Sequence, residues 1–379
     1  MSEKILLMET KYSIVKNFIK NKILDGTYKP DQKISSESEL MEQFGVSRHT
    51  VRQAIGDLVL KGWLYRKQGA GTFCADRTSS KAHSQRPQTK NIAIVTTYIS
   101  EYIFPSIIRG AETYLSNNGY NVSLFNTKND HQIEKRTLEK ILFQNFDGVI
   151  VEPTKSAIPN PNIGYYLSLE RNNIPYVMIH ASYDELGALS ITMDDERGGF
   201  LQTEYLIKLG HKNIAGFFKT DDRQGTKRMK GFLNAHRKYN VSLNPDHLVT
   251  YKTDDKQTKP KEILYEILAE KNEYKPSAIV CYHDELALLL LDVIREKNLQ
   301  VPEDISIVGF DDSFLAEISE VKLTTIKHPQ NEMGDAAAKM ILDLINEKQD
   351  SKTNTTGNIE SLVFEPELII RNSAKKFDS

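Results

Sequence analysis

Cysteine and tryptophan are scarce. Cys74 and Cys281 are the only cysteines in 379 residues, and there is one tryptophan. Two thiols so far apart in the chain exclude a disulfide framework and a Cys-rich zinc site, and both are expected as small buried apolar residues. Runs of about 18 apolar residues are missing too. The opening MSEKILLMET lacks a basic segment followed by a long apolar one, so neither a membrane span nor a secretion signal is expected, and a cytoplasmic location follows. No HExxH, Walker or G-x-S-x-G pattern occurs. Gly198-Gly199 lacks the spacing of a phosphate loop. The adjacent acids Asp311-Asp312 at a strand end point different ways, and the run His283-Asp284-Glu285 is a weak suggestion of a metal set. Nothing here calls for a metal, a cofactor or catalysis, and an enzyme stays only a distant alternative.

What the chain does have is an uneven charge. Hydrophobic content of 39% and charged content of 26% describe a globular protein long enough for two or three domains. The formal net charge is -2, but residues 1–90 carry +7 and residues 91–379 carry -9. A basic head on an acidic body is the signature of a nucleic-acid-binding segment. ADRTSSKAHSQRPQTK (75–90) shows no apolar periodicity and reads as a linker.

Before that linker, KYSIVKNFIKNKILDGTY repeats Ile14, Phe18, Ile19 and Ile23 at helical spacing, and Asp25-Gly26 stops the helix. In SSESELMEQFG, Ser36 with Glu39 three residues on makes a capping box and Gly45 ends the helix. Ser47 caps a third helix reaching about Leu60, and two strand-like runs flank Gln68-Gly69-Ala70-Gly71. Three short helices and a hairpin predict a winged helix-turn-helix, whose third helix enters a DNA major groove. Within FGVSRHTVRQAI, Phe44, Val46, Val51 and Ile55 anchor that helix, while Arg48 and Arg52 stand one turn apart on its other face. On those two residues alone a solvated helix face is an equal reading; the caps, the wing and the charge favour DNA.

The stretch SSESELMEQFGVSRHTVRQAIGDLVLKGWLYRKQGAGTF resembles the DNA-binding domain of GntR-type bacterial regulators over residues 9–76, with Ser35 where that family usually has proline. The resemblance implies that Glu37, Arg48 and Arg52 read bases and that Thr50 contacts a phosphate or base. It also implies that Gly69 brings the wing to the minor groove. Ser47, His49, Gln68 and Lys11 are the further DNA contacts expected.

After a linker at 77–90, buried-strand runs alternate with helical stretches: NIAIVTTY, YNVSLFNT, FDGVIVEP and IPYVMIH, then NIAGFFK, SAIVCYHD and ISIVGFDD. This rhythm predicts α/β architecture with parallel sheets in two lobes, and ligands bind beyond the C-terminal ends of such strands. Polar residues sit at those ends. Thr97 and Tyr98 follow the first strand, Glu152 and Lys155 the third, and His180 the fourth. In the second half come Arg228, then Tyr282, His283 and Asp284, then Asp311, with His328 after LTTIK. Charge-assisted hydrogen bonds from such groups suit a polyhydroxylated ligand. Any one of them, taken singly, reads equally well as an ordinary polar surface group.

ERGGFLQTEYLIKLGHKNIAGF, RMKGF, CYHDELALLLLDVIREKNLQVPEDISIVGFDDS and LTTIKHP resemble the LacI/GalR effector domains, relatives of periplasmic sugar-binding proteins, over residues 91–372. That resemblance implies that Arg228, Asp284 and Asp311 hold ligand and that Glu152, His180 and His328 occupy variable pocket positions. Met193 would form an apolar wall, with Phe104 and Pro105 flanking the ligand. It further implies three crossings between lobes, one lobe holding 91–192 with 325–350 and the other 193–324 with the C-terminal strands. A GntR head on such a body, with TTYISEYIFPSIIRG and VEPTKSAIPNPNIGYY, is similar to repressors of arabinose-utilisation genes in Gram-positive bacteria. The implied behaviour is a homodimer on a palindromic operator, released by L-arabinose. Another sugar, a sugar phosphate or a purine is the alternative effector. GntR heads also occur on pyridoxal-phosphate bodies, but this body is short for one and offers no fitting lysine.

Overall fold

The computed structural model describes residues 10–24, 26–60, 62–67, 69–75, 89–144, 146–269, 275–349 and 359–377. It falls into two compact units, a head and a body that begins at Thr89.

In the head, α1 (Lys11–Leu24), α2 (Glu37–Phe44) and α3 (Arg48–Leu60) precede β1 (Leu64–Lys67) and β2 (Gly71–Cys74). Ser36 starts α2 as a reciprocal cap. Its hydroxyl accepts from the Glu39 amide at 3.2 Å, and the Glu39 carboxylate accepts from the Ser36 amide at 2.6 Å. Two amides that a bare helix start leaves open are thereby satisfied. Gly45 ends α2 at φ +58, a left-handed conformation that costs glycine little. The short turn brings α2 against α3, and Leu40, Val51, Ala54, Ile55 and Leu58 form one core with Val15 and Ile19 of α1. Phe44 and Val46 pack on it, half-buried. Ile14, expected on the apolar stripe, is 39% exposed, because the buried stripe of α1 is centred one residue later, on Val15 and Ile19. Asp25 lies outside the described residues; Gly26 follows at φ +78. The hairpin pairs antiparallel from Leu64 with Cys74 to Lys67 with Gly71.

The body alternates strands and helices. Its first lobe contains β3 (Asn91–Thr96), α4 (Phe104–Asn117), β4 (Asn121–Asn126), α5 (His131–Phe143), β5 (Gly148–Val151), α6 (Ile163–Arg171), β6 (Tyr176–Ile179) and β7 (Ser190–Met193). The second contains α7 (Asp195–Lys208), β8 (Ile214–Lys219), α8 (Arg223–Tyr239), β9 (Leu248–Tyr251), α9 (Lys259–Ile267), β10 (Ala278–Cys281), α10 (Asp284–Glu296), β11 (Ser306–Val308), α11 (Phe314–Ile318) and β12 (Thr325–Lys327). The chain then continues through α12 (Gln330–Gln349), β13 (Leu362–Phe364) and β14 (Glu367–Ile369).

Lobe one is a parallel sheet of order β13-β7-β6-β5-β3-β4, and lobe two a parallel sheet of order β11-β10-β8-β9. Strands such as GVIV, YVMI and AIVC are buried at every position, as helices on both faces of a parallel sheet require. In each sheet the chain reverses direction of travel between two neighbouring strands, β3 and β5 in lobe one, β8 and β10 in lobe two. Loops leaving those strands splay apart and open a crevice. Among the described residues no helix is long and apolar enough to cross a membrane.

Three crossings join the lobes, after Met193, after Lys327 and between β13 and β14. Two short strands differ from the expected division. β12 stays with lobe two, where Thr324 and Lys327 bridge Val308 and Asp311. β13 joins lobe one beside β7, and only β14 returns, antiparallel to β12. Strands of three residues carry too little pattern to choose a sheet; pairing partners choose for them. Gly198-Gly199 serves packing. A Cβ on Gly199 would lie 2.2 Å from the Arg228 carbonyl oxygen, so glycine alone lets α7 approach α8 this closely.

Candidate functional site

On the head, α3 presents an exposed polar face. Arg48, His49 and Arg52 are exposed, and Lys11 is exposed at the start of α1. Ser47 and Thr50 are engaged with each other: the Ser47 hydroxyl accepts from the Thr50 amide at 3.2 Å and lies 2.9 Å from its hydroxyl. Arg52 Nε donates to both carboxylate oxygens of Glu37, at 3.1 and 2.9 Å, so two of the expected base readers meet across the α2–α3 turn. Exposed pairs of this kind contribute little to stability. The pair fixes where the guanidinium stands. Gly69 is at the tip of the hairpin with φ +74, and Gln68 lies outside the described residues.

In the body, the strand ends of both lobes converge on a cavity of about 100 Å³, with room for several water-sized groups. Eleven of the expected residues line it: Thr97, Tyr98, Phe104, Glu152, His180, Met193, Arg228, Tyr282, His283, Asp311 and His328. Lys155 and Asp284 do not. Lys155 pairs instead with Asp254 at 3.8 Å. Asp284 is fully buried behind the wall, accepting from the Thr325 hydroxyl at 2.6 Å and the Ser313 amide at 2.8 Å. Pro105 is the first-turn proline of α4 and is not in the lining.

Arg228 organises the lobe-two wall. Its Nε donates to Asp195 at 2.8 Å, Nη1 to the Tyr282 carbonyl at 2.7 Å, and Nη2 to Asp311 at 3.3 Å. The Phe310 ring lies 3.4 Å from the guanidinium carbon, a stacked cation–π contact. Burial alone would lower the guanidinium pKa, but Asp311 and Asp195 outweigh it and raise it. One cation serves two acids, so burial still holds both carboxyls above their usual range. Beside them, Lys219 bonds Asp222 at 2.8 Å and Asp221 at 3.2 Å, and Asp222 also accepts from the Tyr282 hydroxyl at 2.8 Å. Against burial, Lys219 pulls Asp222 below the ordinary carboxylate range.

On lobe one, Glu152 accepts from the Thr97 amide and hydroxyl, both at 2.7 Å, and lies 3.3 Å from His180 Nδ1. His180 is held at φ +64, a left-handed conformation uncommon for a side-chain-bearing residue. With Nδ1 turned to that carboxylate, Nε2 is the ring nitrogen left for another partner. His180 Nε2, His328 Nδ1 and Tyr251 Oη are buried and make no hydrogen bond among the described residues. Burial lowers His328 well below the ordinary histidine value, so its ring is neutral. His283 is spoken for: Nδ1 caps α10 by accepting from the Leu286 amide at 2.9 Å, and burial pushes its pKa down to about 3.

Several lining residues were not anticipated, among them Tyr102, Asp195, Lys219, Asp222, Tyr251 and Lys256. Lys219 ends the run NIAGFFK, and the strand-end rule applied to that strand finds it. Tyr251 ends a strand, LVTY, too short to read from the sequence. Tyr102 and Asp195 come from a loop and a helix start, which carry no such marker.

Residues 11–74 match the bacterial regulatory proteins of the gntR family, and residues 203–374 match a periplasmic binding protein-like domain. The chain is 57% identical over 372 residues to the arabinose metabolism transcriptional repressor of Halalkalibacterium halodurans, covering 98% of each chain. It is 51% identical over 376 residues to the protein of the same name in Geobacillus stearothermophilus, covering 99% of this chain and all of the other. The crystal structure of the transcription regulator CcpA of Lactococcus lactis superposes with a TM-score of 0.64 at 24% identity, covering 76% of this chain and 100% of that one. A helix-turn-helix head on a two-lobed body with a polar cavity defines a DNA-binding transcription regulator with an effector-binding domain, not an enzyme. The chain belongs to the arabinose metabolism transcriptional repressors.

Asp284 gives the site a pH signature. Burial first, then Asp311, raises its pKa to about 8, well above the unfolded value near 4. A carboxyl raised in this way contributes stability that is fully present below about pH 4. That stability is lost as pH climbs toward 8, at up to about 1.4 kcal/mol per unit. In Asp284→Asn the amide oxygen accepts from Ser313 and the Thr325 hydroxyl turns to accept from the amide nitrogen. Urea unfolding between pH 5 and 8 should show a flatter stability profile for this variant than for the wild type. Parallel profiles would assign the slope to another group.

Proposed function

We propose that L-arabinose binds between the lobes and releases this repressor from a palindromic operator, in the cytoplasm, where the DNA is. The observation that carries the choice of ligand is the balance of groups in the cavity. Six carboxylates (Glu101, Glu152, Asp195, Asp222, Glu285 and Asp311) face three cations, and two of those, Lys219 and Arg228, are already paired with acids. Such a wall repels a phosphate and suits hydroxyls, which donate to the carboxylates and pair with His180 Nε2. Aromatic and apolar faces, from Tyr98, Phe104, Tyr282 and Met193, suit the C–H side of a sugar ring. The relatives are named for arabinose metabolism, which supports that pentose in particular.

A ligand that touches both lobes stabilises the closed body over the open one. It shifts DNA binding only by its difference in affinity for those two forms. Coupling of about 1–3 kcal/mol, usual for allostery, lowers operator affinity about 5- to 150-fold. An operator titration with and without saturating sugar tests this, using L-arabinose, other pentoses and hexoses, a pentose phosphate and a purine. L-arabinose should weaken operator binding and the phosphate should not; tighter binding would make the sugar a co-repressor. Tyr251→Phe removes a buried hydroxyl that has no hydrogen-bond partner among the described residues. It should keep full stability and bind the sugar about two- to tenfold more weakly, the worth of one hydrogen bond.

On the head, Arg48 and Arg52 are proposed to read guanine, each gripping O6 and N7. Arg48→Ala and Arg52→Ala should each lose about 1–3 kcal/mol of preference for operator over random DNA at fixed salt, with sugar binding intact. Unchanged preference in both would move the reading surface elsewhere.

Two heads on a two-fold axis match half-sites about one or more helical turns apart, so the working form proposed is a homodimer. Inserting five base pairs between the half-sites turns one of them to the opposite face of the duplex. Operator affinity should fall sharply; unchanged affinity would mean that the heads bind independently.

A further inference from the structure

Tyr102 lies in the lobe-one loop between β3 and α4, yet its hydroxyl is bonded entirely to lobe two. It donates to the Phe310 carbonyl at 3.0 Å and lies 3.1 Å from the Asp284 amide, which donates toward it. The backbone holds φ +58 to send the ring across the cleft, a conformation that costs free energy in any residue other than glycine. The ring rests against His283, 5.3 Å between centroids. Burial, then Asp311 and Asp284, raises the phenol well above its ordinary value, so it remains a proton donor across the working pH range.

Its partners do not depend on it. The Asp284 amide also donates to the Phe310 carbonyl, at 2.9 Å, so these two lobe-two groups satisfy each other when the tyrosine is away. Separation of the lobes then leaves no buried orphan in lobe two, and the tyrosine hydroxyl gains water. A contact so arranged makes and breaks cheaply. It is also in the cavity wall: Tyr102 lines the cavity, and Phe310 stacks on Arg228 and precedes Asp311, which is held at φ +98.

We propose that Tyr102 is a latch between the lobes: its ring is part of the cavity wall, but its hydroxyl is spent on the backbone of lobe two, holds the closed body there and so sets effector affinity without itself bonding the effector. The latch rests on the reading of the cleft as the effector site, and goes beyond it by assigning part of the closure energy to the protein alone.

The test is Tyr102→Phe in the full chain, which keeps the ring and deletes the bond. Calorimetric titration with L-arabinose and with one other pentose that binds should show both affinities falling by the same factor, about two- to tenfold. The sugar concentration for half-release from operator should rise by that factor. A direct contact with the sugar would instead change the ratio between the two pentoses, and that result would overturn the latch. Hydrogen exchange without sugar gives a second measure: the segments around 100–104 and 308–313 should exchange faster in the variant. Should the wild type fail to bind L-arabinose, the choice of effector falls, and the exchange measurement alone decides the latch. Exchange rates equal to wild type, with sugar affinity equal to wild type wherever sugar binds, would overturn it.

Discussion

The buried guanidinium of Arg228 is the interaction around which lobe two is arranged. Three separate segments deliver its partners: Asp195 from the start of α7, the Tyr282 carbonyl after β10, and Phe310 and Asp311 after β11, all around a side chain of α8. Removing one partner from a buried pair leaves a charge without compensation, at a cost of about 3–5 kcal/mol. The wall is therefore rigid in a specific sense: no single segment can drift without exposing a charge. The same residue constrains the helices, since α7 reaches its backbone only across Gly199.

Lobe one reaches the cleft by a different device. Glu134 of α5 is fully buried and accepts hydrogen bonds from Asn160, Asn162, Tyr166 and Tyr183. Four donors on one carboxylate replace the water it lost, which is the condition for burying such a group. They tie the loop after β5 to α5 and α6, and that loop begins with Glu152. Rigid donors and acceptors on each lobe, joined by three chain crossings, are what the proposed closure of the body requires. An effector acts on such a body only through its different affinities for the two forms.

Elements were legible where local chemistry dictates them. The capping box at Ser36 and Glu39, the left-handed Gly45 and the cap at Ser47 are decided within four residues, so the helix-turn-helix could be read directly from the chain. Strands buried on both faces announce themselves as unbroken apolar runs, and the polar residue that follows each one marks the cleft. Ile14 and Asp284 show the limit. A helical stripe can be misplaced by one residue when several apolar residues are adjacent. A strand-end aspartate can equally turn inward, as Asp284 does toward Ser313 and Thr325.

By itself, the sequence determined the order of helices and strands, the boundary between a basic head and an acidic body, and most of the cavity's chemistry. All of these depend on neighbours within a few residues or on a period of two or 3.6. Tertiary structure alone decided that β13 belongs to lobe one and β12 to lobe two, that Asp195 faces the cavity, and that Tyr102 crosses to the other lobe. Those facts depend on which atoms meet between segments far apart in the chain, 208 residues for Tyr102 and Phe310, and no local pattern encodes such a meeting.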